Sequence, residues 1–225
     1  MNDALVMAKD VWKVYGQGEI AVTALHGVDI QIPAGEMLAV MGPSGCGKTT
    51  LLNCLSGLDE ISKGEVLIEG TNIHALSDRK KSEFRSRKVG FVFQSYNLLP
   101  VLTATENVEM PLLISGVIAR EARGRARTML SELGLGDRLD RLPAELSGGQ
   151  QQRVSLARAL VAHPAIVWAD EPTGNLDAEG SHEVITLLRS LNRTYGQTMV
   201  VVTHDASVAA ACDRTIRMTD GRLVT

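Results

Sequence analysis

Two glycine-rich segments constrain the fold of this chain more than any other feature of its sequence. The first comprises Gly42, Pro43, Ser44, Gly45, Cys46, Gly47, Lys48 and Thr49, and the second comprises Leu146, Ser147, Gly148, Gly149 and Gln150. Each precedes a predicted helix, whose first turn presents unpaired N–H groups and the positive end of the helix dipole. Both segments are therefore predicted to bind an anion, and together they suggest one nucleotide held from two sides.

The first glycine segment lies between a predicted strand, Met37–Met41, and a predicted helix, Lys48–Ser56. A strand, a loop of the form G-x-x-x-x-G-K-T and a helix form the context that this phosphate-binding motif requires. In such loops backbone amides contact the α and β phosphates, the lysine reaches the β and γ phosphates, and the threonine hydroxyl binds magnesium. Lys48 and Thr49 are assigned those two roles.

Two adjacent carboxylates follow another apolar run. The segment Ile166–Ala169 predicts a buried strand, and Asp170 and Glu171 come directly after it. An aspartate at such a position is a second anchor for magnesium, so Asp170 is a candidate metal ligand. Because neighbouring side chains of a strand point to opposite faces, Glu171 is expected to reach the water that attacks the γ phosphate. Glu171 is therefore the candidate general base.

The order of predicted elements indicates an α/β fold, a P-loop NTPase with a parallel-sheet core. Strands at Leu5–Val14 and Thr23–Ile32 form an N-terminal antiparallel β subdomain, and a hairpin with the turn Asp220-Gly221 ends the chain. The helix Ala178–Thr194 separates strands Ile166–Ala169 and Met199–Thr203, a rhythm that implies parallel pairing. We expect one domain over 1–225, with the core at about 1–94 and 147–225 and an inserted α-helical subdomain at about 95–146.

Composition narrows the kinds of partner. The chain has 225 residues, of which 44% are hydrophobic, and 26 acidic against 23 basic residues leave a net charge of -3. This balance gives no general attraction to nucleic acid, and no nucleic-acid partner is expected. The three cysteines form neither a C-x-x-C pair nor a zinc pattern, which fits a reduced cytoplasmic compartment. No apolar run approaches the roughly 18 residues of a membrane helix, so any membrane span should come from a partner.

With these motifs in this order, the chain resembles the ATP-binding subunits of ABC transporters over nearly its whole length. The resemblance implies that Tyr15, within Val14-Tyr15-Gly16, stacks on adenine. It implies that Gln94, which follows Gly90-Phe91-Val92-Phe93, reaches magnesium and the attacking water. It also implies that His204 contacts the γ phosphate and braces Glu171. Catalysis is thus expected from Glu171, His204, Gln94 and Lys48, and magnesium binding from Thr49, Gln94 and Asp170.

The family resemblance further implies a homodimer in which each ATP lies between two subunits. The phosphate loop of one subunit and the family's signature segment of the other, residues 146–150, would share the nucleotide, with Lys48 on one side and Ser147 on the other. The expected nucleotide contacts are Tyr15, Gly42, Pro43, Ser44, Gly45, Cys46, Gly47, Lys48, Thr49, Thr50, Ser147, Gly148, Gly149 and Gln150. The expected cofactors are ATP and Mg²⁺, and the reaction is hydrolysis of ATP to ADP and phosphate.

Three further segments resemble the MacB/LolD/FtsE subfamily: 93–100, 102–108 and 172–177. In the last of these, Gly174-Asn175 replaces the Ser-Ala that is usual in the family's inter-subunit loop. Ser95-Tyr96-Asn97 favours the macrolide-exporter-like branch over the lipoprotein-release branch. The resemblance implies a separate permease with few membrane helices and a large extracytoplasmic domain, and a location at the cytoplasmic face of the membrane. The alternatives are an ATP-dependent tether of a membrane or cell-division complex and a soluble non-transport ABC ATPase.

The position of Cys46 predicts chemical reactivity. It lies within the phosphate loop at the start of a helix, where the helix dipole and Lys48 favour a thiolate. We expect it to be exposed and to be the most reactive of the three thiols. Cys54 and Cys212 are expected to pack as small apolar residues.

Overall fold

A computed structural model describes residues 4–224. The chain forms two compact units: one contains the segments that end at Ser82 and begin again at Arg189, and the other is Glu83–Leu188. The strands are β1 (Ala4–Tyr15), β2 (Val22–Pro33), β3 (Met37–Met41), β4 (Lys63–Ile68), β5 (Thr71–Asn72), β6 (Val89–Phe93), β7 (Ile166–Asp170), β8 (Thr198–Thr203), β9 (Arg214–Thr219) and β10 (Arg222–Val224). The α-helices are α1 (Lys48–Ser56), α2 (Asp78–Lys88), α3 (Ala104–Ile114), α4 (Ala119–Glu132), α5 (Gly148–Leu160), α6 (Ala178–Tyr195) and α7 (Ala206–Ala210).

The first unit contains an antiparallel sheet with the strand order β2-β1-β4-β5. Residue Val6 of β1 pairs with Ile32 on one side and with Ile68 on the other, and all three side chains are buried. The antiparallel arrangement allows one face of the sheet to be apolar and the other to contact water. The two N-terminal strands predicted from the sequence are confirmed.

The same unit contains a parallel arrangement around β3, which pairs with β8 on one side and β9 on the other. Residues 37–40 of β3 are all buried, as is typical of a strand covered on both faces. The strand ends where the glycine loop begins, and α1 begins at Lys48, as predicted. The terminal hairpin of β9 and β10 turns at Asp220 and Gly221, which both have positive φ, as a type I′ turn requires.

The second unit contains a parallel pair of strands, β6 and β7, in which Phe93 lies opposite Asp170. Helix α5 packs directly against β6 at Gly90. A Cβ atom on Gly90 would lie 2.4 Å from the carbonyl oxygen of Ala159, so only glycine permits this approach. The pairing brings the ends of β6 and β7 together, and Gln94 and Glu171 follow these two ends.

The second unit also contains helices α3, α4 and α5, and the predicted helical segment 95–146 falls within it. Helix α3 begins with a capping box, in which Thr103 and Glu106 satisfy each other's backbone N–H groups. Glu109 on α3 is buried and accepts two hydrogen bonds from Arg123 on α4, at 3.0 and 2.9 Å. This bidentate pair joins the two helices and satisfies the buried carboxylate. Among the described residues, no helix is both long and apolar enough to cross a bilayer.

Candidate nucleotide site

The glycine loop of the first unit is shaped by residues that have no side chain. A Cβ atom on Gly42 would lie 2.2 Å from the carbonyl oxygen of Met218, and one on Gly47 would lie 2.8 Å from that of Ala24. Gly47 also has a φ of 103° and is the N-cap of α1. As a glycine, this cap has no side chain that could accept from the first-turn N–H groups of α1. These amides therefore form the kind of cradle that binds phosphate oxygens.

Lys48 places a positive charge inside this loop. Its side chain is buried, and its ammonium group donates to the carbonyl oxygens of Gly42 and Pro43 at 2.8 and 3.0 Å. Both acceptors belong to the loop itself, so the charge is held beside the backbone amides. Thr49 and Thr50 follow in the first turn of α1. The loop amides and the Lys48 ammonium thus lie together, and the role of the Thr49 hydroxyl stays a prediction.

Cys46 does not have the exposure predicted from the sequence. Its side chain is only 5% exposed, because the turn of the glycine loop directs it inward, toward Gly42. A Cβ atom on Gly42 would lie 2.7 Å from the Cys46 sulfur. Cys54 is fully buried, as expected, and burial raises its pKa to about 12. Cys212 is partly exposed, and burial raises its pKa to about 11.

Two other predicted site residues belong to the first unit. Tyr15 ends β1, is 42% exposed and donates its hydroxyl proton to Asp59 at 2.7 Å. His204 is exposed and follows β8, whose last residue is Thr203. The next residue, Asp205, caps the short helix α7 by accepting from the N–H and hydroxyl groups of Ser207. These hydrogen bonds hold the pKa of Asp205 below its usual value and fix the chain just after His204.

In the second unit, the two predicted carboxylates lie at the end of β7. Asp170 is the last residue of the strand, and Glu171 follows it with a φ of 46°. Because side chains alternate along a strand, the sequence predicts Glu171 on the face opposite Asp170. A residue in the left-handed conformation does not continue that alternation, so the alternation does not apply to Glu171. The carbonyl oxygen of Glu171 accepts from the N–H of Gly174 at 3.0 Å, which begins a tight turn.

Gln94 is held by the loop that follows Glu171. The side-chain amide of Asn175 donates to the carbonyl oxygen of Gln94 at 2.9 Å. The side chain of Gln94 also lies against Gly174, where a Cβ atom would come within 2.7 Å of its Nε2. The Gly174-Asn175 pair that distinguishes this chain from the usual family pattern therefore contacts a predicted catalytic residue. The sequence showed the pair but not the contact, which joins residues 81 positions apart.

Arg158 is a residue of this region that sequence reasoning missed. It lies on α5 and donates to the carbonyl oxygens of Asn97 and Tyr96, the latter at 2.8 Å. Both acceptor residues have positive φ, so the arginine stabilises an unusual backbone conformation just after Gln94. Burial lowers the pKa of Arg158, which remains cationic. No motif could reveal this role, because the partners are backbone carbonyls.

Ser147 begins α5 with a second capping box. Its hydroxyl accepts from the N–H of Gln150 at 3.3 Å, and the Gln150 side chain accepts from the N–H of Ser147 at 3.0 Å. Ser147 is exposed, and a pocket of about 380 Å³ adjoins it. The pocket is lined by Ser147, Gly148, Gly149, Asn175, Leu176, Asp177, Glu179, Gly180 and Glu183. The signature segment thus opens onto a pocket that also includes the predicted inter-subunit loop.

Comparison with known proteins decides the family. A profile of the family described as "ABC transporter" matches residues 25–174. The chain belongs to the ABC transporter family. The ABC ATP-binding protein YbbA of Escherichia coli K12 is 49% identical over 94% of this chain and 92% of its own. The macrolide export ATP-binding/permease protein MacB of Marinobacter nauticus is 49% identical over 98% of this chain and 34% of its own, which agrees with the MacB/LolD/FtsE subfamily.

Solved structures confirm the ABC fold and the enzymatic class. A dimeric post-hydrolysis structure of the ATP-binding cassette MJ0796, bound to ADP and Pi, superposes with a TM-score of 0.89. It is 43% identical in sequence and covers 98% of this chain and 97% of its own. The predicted α/β fold, with an antiparallel β subdomain and a parallel-sheet core, is confirmed. The chain is an ABC ATPase, the ATP-binding subunit of a transporter.

Proposed function

We propose that this ABC ATPase dimerises on ATP and drives a separate membrane permease of the MacB/LolD/FtsE type. The observation that carries the proposal is the pair of independent helix starts, α1 in the first unit and α5 in the second, each with glycines at its N-terminus. Each is suited to an anion, and the MJ0796 cassette with 43% identity forms a dimer with ADP and Pi. A nucleotide shared between two copies accounts for both helix starts.

On this proposal the glycine loop holds the phosphates through its amides and Lys48, and Tyr15 stacks on the base. The hydroxyl of Thr49 and the oxygens of Gln94 and Asp170 are hard donors of the kind that Mg²⁺ prefers, so these residues fit a magnesium ion. When bound, magnesium would neutralise part of the phosphate charge. Glu171 accepts a proton from the attacking water, and His204 supports the γ phosphate.

The dimer closes when the Ser147 hydroxyl and the N–H groups of Gly148 and Gly149 contact the γ phosphate held by the partner copy. After hydrolysis, release of that phosphate removes these contacts and allows the copies to separate. The differential binding of ATP and ADP to the closed state supplies the work delivered to the permease. The subunit is then located at the cytoplasmic face of the membrane through its partner.

Exposed apolar residues along one segment of the second unit, from 99 to 118, support a protein partner. Val101 is 81% exposed and Ile114 is 71% exposed, and Leu99, Leu113 and Ile118 are also exposed. These five residues lie before, within and just after α3. We name them the apolar surface of α3. Exposed apolar area that is covered by a partner is a common feature of interaction sites, and we propose that the permease binds here.

The dimer is tested with Glu171→Gln. The amide keeps the size of the carboxylate but cannot accept the proton, so ATP should bind while hydrolysis falls by about a hundredfold or more. With ATP and magnesium, the variant should elute from size-exclusion chromatography as a dimer, and without nucleotide as a monomer.

Two matched variants sharpen this test. Ser147→Arg added to Glu171→Gln should abolish the ATP-dependent dimer while preserving nucleotide affinity, because Ser147 contacts only the partner's nucleotide. Lys48→Ala in the same background should abolish both. A Glu171→Gln protein that remains monomeric with saturating ATP at high concentration contradicts the proposed dimer, and equal affinity losses in the two added variants contradict the assignment of Ser147.

A further inference from the structure

Tyr15 is held in place by two residues that have no assigned role in the ATPase. Its hydroxyl donates to Oδ2 of Asp59 at 2.7 Å. The other carboxylate oxygen, Oδ1, accepts from Nζ of Lys13 at 2.7 Å. The same ammonium lies 4.6 Å from the centroid of the Tyr15 ring. Tyrosine, aspartate and lysine thus form a closed triangle, in which each member contacts the other two.

The charge of Lys13 is unusual for its degree of burial. Its side chain is only 10% exposed, whereas that of Asp59 is 31% exposed. Burial by itself would lower the pKa of Lys13, but the hydrogen bond and charge of Asp59 raise it above its usual value. A second hydrogen bond, to the carbonyl oxygen of Glu60 at 2.7 Å, completes the environment of the ammonium. The lysine therefore remains charged and fixed beneath the aromatic ring.

This arrangement restricts the ring in two ways. The hydroxyl bond to Asp59 limits rotation of the side chain, and the cation occupies one face of the ring. A flat ligand can then stack only on the opposite face. A cation–π contact on one face also draws electron density from the ring, which favours stacking of an electron-rich aromatic ligand on the other.

We propose that Asp59 and Lys13 are positioning residues that hold Tyr15 as a platform for the base of the bound nucleotide. This inference rests on the proposed role of Tyr15 in the function above. The two residues would contribute to recognition of the base and not of the phosphates, because their contacts are with the aromatic ring and its hydroxyl. Their loss would leave the glycine loop and Lys48 intact.

The test compares two ligands that are not hydrolysed by this enzyme, ADP and inorganic pyrophosphate, by isothermal titration calorimetry. In Tyr15→Phe and in Asp59→Ala, the ring should occupy the platform for only part of the time, so ADP affinity should fall by about three- to tenfold. Lys13→Met, which keeps an unbranched apolar chain, should show a similar loss. Pyrophosphate affinity should be unchanged in all three, which also shows that the variants are folded.

A double-mutant cycle identifies the contact itself. Tyr15→Phe and Asp59→Ala remove the same hydrogen bond, and Asp59→Ala also removes the partner of Lys13, so the double variant should lose no more ADP affinity than Asp59→Ala alone. Unchanged ADP affinity in the single variants, additive losses in the double variant, or an equal loss of pyrophosphate affinity would overturn the inference. Tyr15→Ala separates the two proposals: if it leaves ADP affinity unchanged, the stacking role of Tyr15 itself is wrong.

Discussion

Glycine at position 174 allows the side chain of Gln94 to lie against the backbone of the next loop. The Nε2 atom of Gln94 occupies the space in which a larger residue would place its Cβ atom, 2.7 Å away. Asn175 holds the backbone of the same glutamine through its side-chain amide. The two residues that differ from the usual family loop therefore both contact Gln94.

We predict that Gly174→Ala slows hydrolysis without weakening nucleotide binding. The added methyl group displaces the end of a flexible side chain, which costs little stability, but Gln94 then leaves its position. A displacement of about 1 Å at a positioning group lowers kcat by roughly ten- to a hundredfold. Steady-state ATPase assays and nucleotide titrations measure the two quantities.

The matched control is Gly124→Ala in the same unit. Gly124 lies within α4, and a Cβ atom there would meet no atom within 4 Å. Alanine should leave kcat unchanged and stabilise the helix slightly. If Gly174→Ala also leaves kcat unchanged, the contact with Gln94 has no part in catalysis.

At the scale of elements, two helices of the second unit, α3 and α5, both begin with a capping box. A hydroxyl residue at the N-cap and an acid or amide three residues later satisfy each other's N–H groups, with Thr103 and Glu106 on α3 and Ser147 and Gln150 on α5. Ser147, the cap of α5, lines the pocket beside the inter-subunit loop. Thr103, the cap of α3, is not part of that pocket lining. One local motif thus has a structural role in α3 and a proposed binding role in α5.

We predict that Thr103→Ala lowers the free energy of unfolding by about 1 kcal/mol, the usual cost of losing an N-cap. Urea denaturation followed by circular dichroism measures it. ATPase activity at a temperature well below the unfolding transition should remain near that of the wild type. Ser147→Ala should show a similar stability loss together with a weaker ATP-dependent dimer. A comparable loss of activity in Thr103→Ala would contradict the division of roles.

At the scale of the whole molecule, the predicted site residues are divided between the two units. Tyr15, the glycine loop with Lys48, and His204 belong to the first unit. Gln94, Asp170, Glu171 and the signature segment belong to the second unit, which also carries the apolar surface of α3. The proposed partner surface is therefore on the same unit as the proposed general base.

We predict that charged substitutions on this surface, Val101→Glu and Ile114→Glu, prevent binding to the permease without affecting the isolated ATPase. Both side chains are exposed, so the changes should alter the free energy of unfolding by no more than about 0.5 kcal/mol. Co-purification from detergent extracts of cells that also express a permease with four membrane helices and a large outer domain measures binding.

Control variants for this surface are Ile20→Glu and Val22→Glu, which replace exposed apolar residues of the first unit. These should co-purify with the permease as the wild type does. Equal binding by all four variants would show that the permease binds elsewhere, and equal loss would indicate a general effect of charge.

The sequence by itself determined the local elements and the family. Helix α1 has the predicted bounds, Lys48–Ser56, because the glycine loop before it and the residues within it are local signals. The assignment of catalytic roles to Glu171, Gln94 and His204 stays a prediction that the experiments above address. The hairpin turn and the capping box at Thr103 were predictable for the same reason: each depends on residues within a few positions of one another.

Only the tertiary structure decided the contacts between distant segments. Lys13 meets Asp59 across 46 positions, and Arg158 reaches the carbonyl oxygen of Tyr96 across 62. Cys46 is buried, contrary to the prediction, because the loop turns its sulfur inward against Gly42. A sequence pattern reports the preferences of neighbouring residues. Burial and contact depend on where separate elements pack, and that packing minimises the free energy of the whole chain.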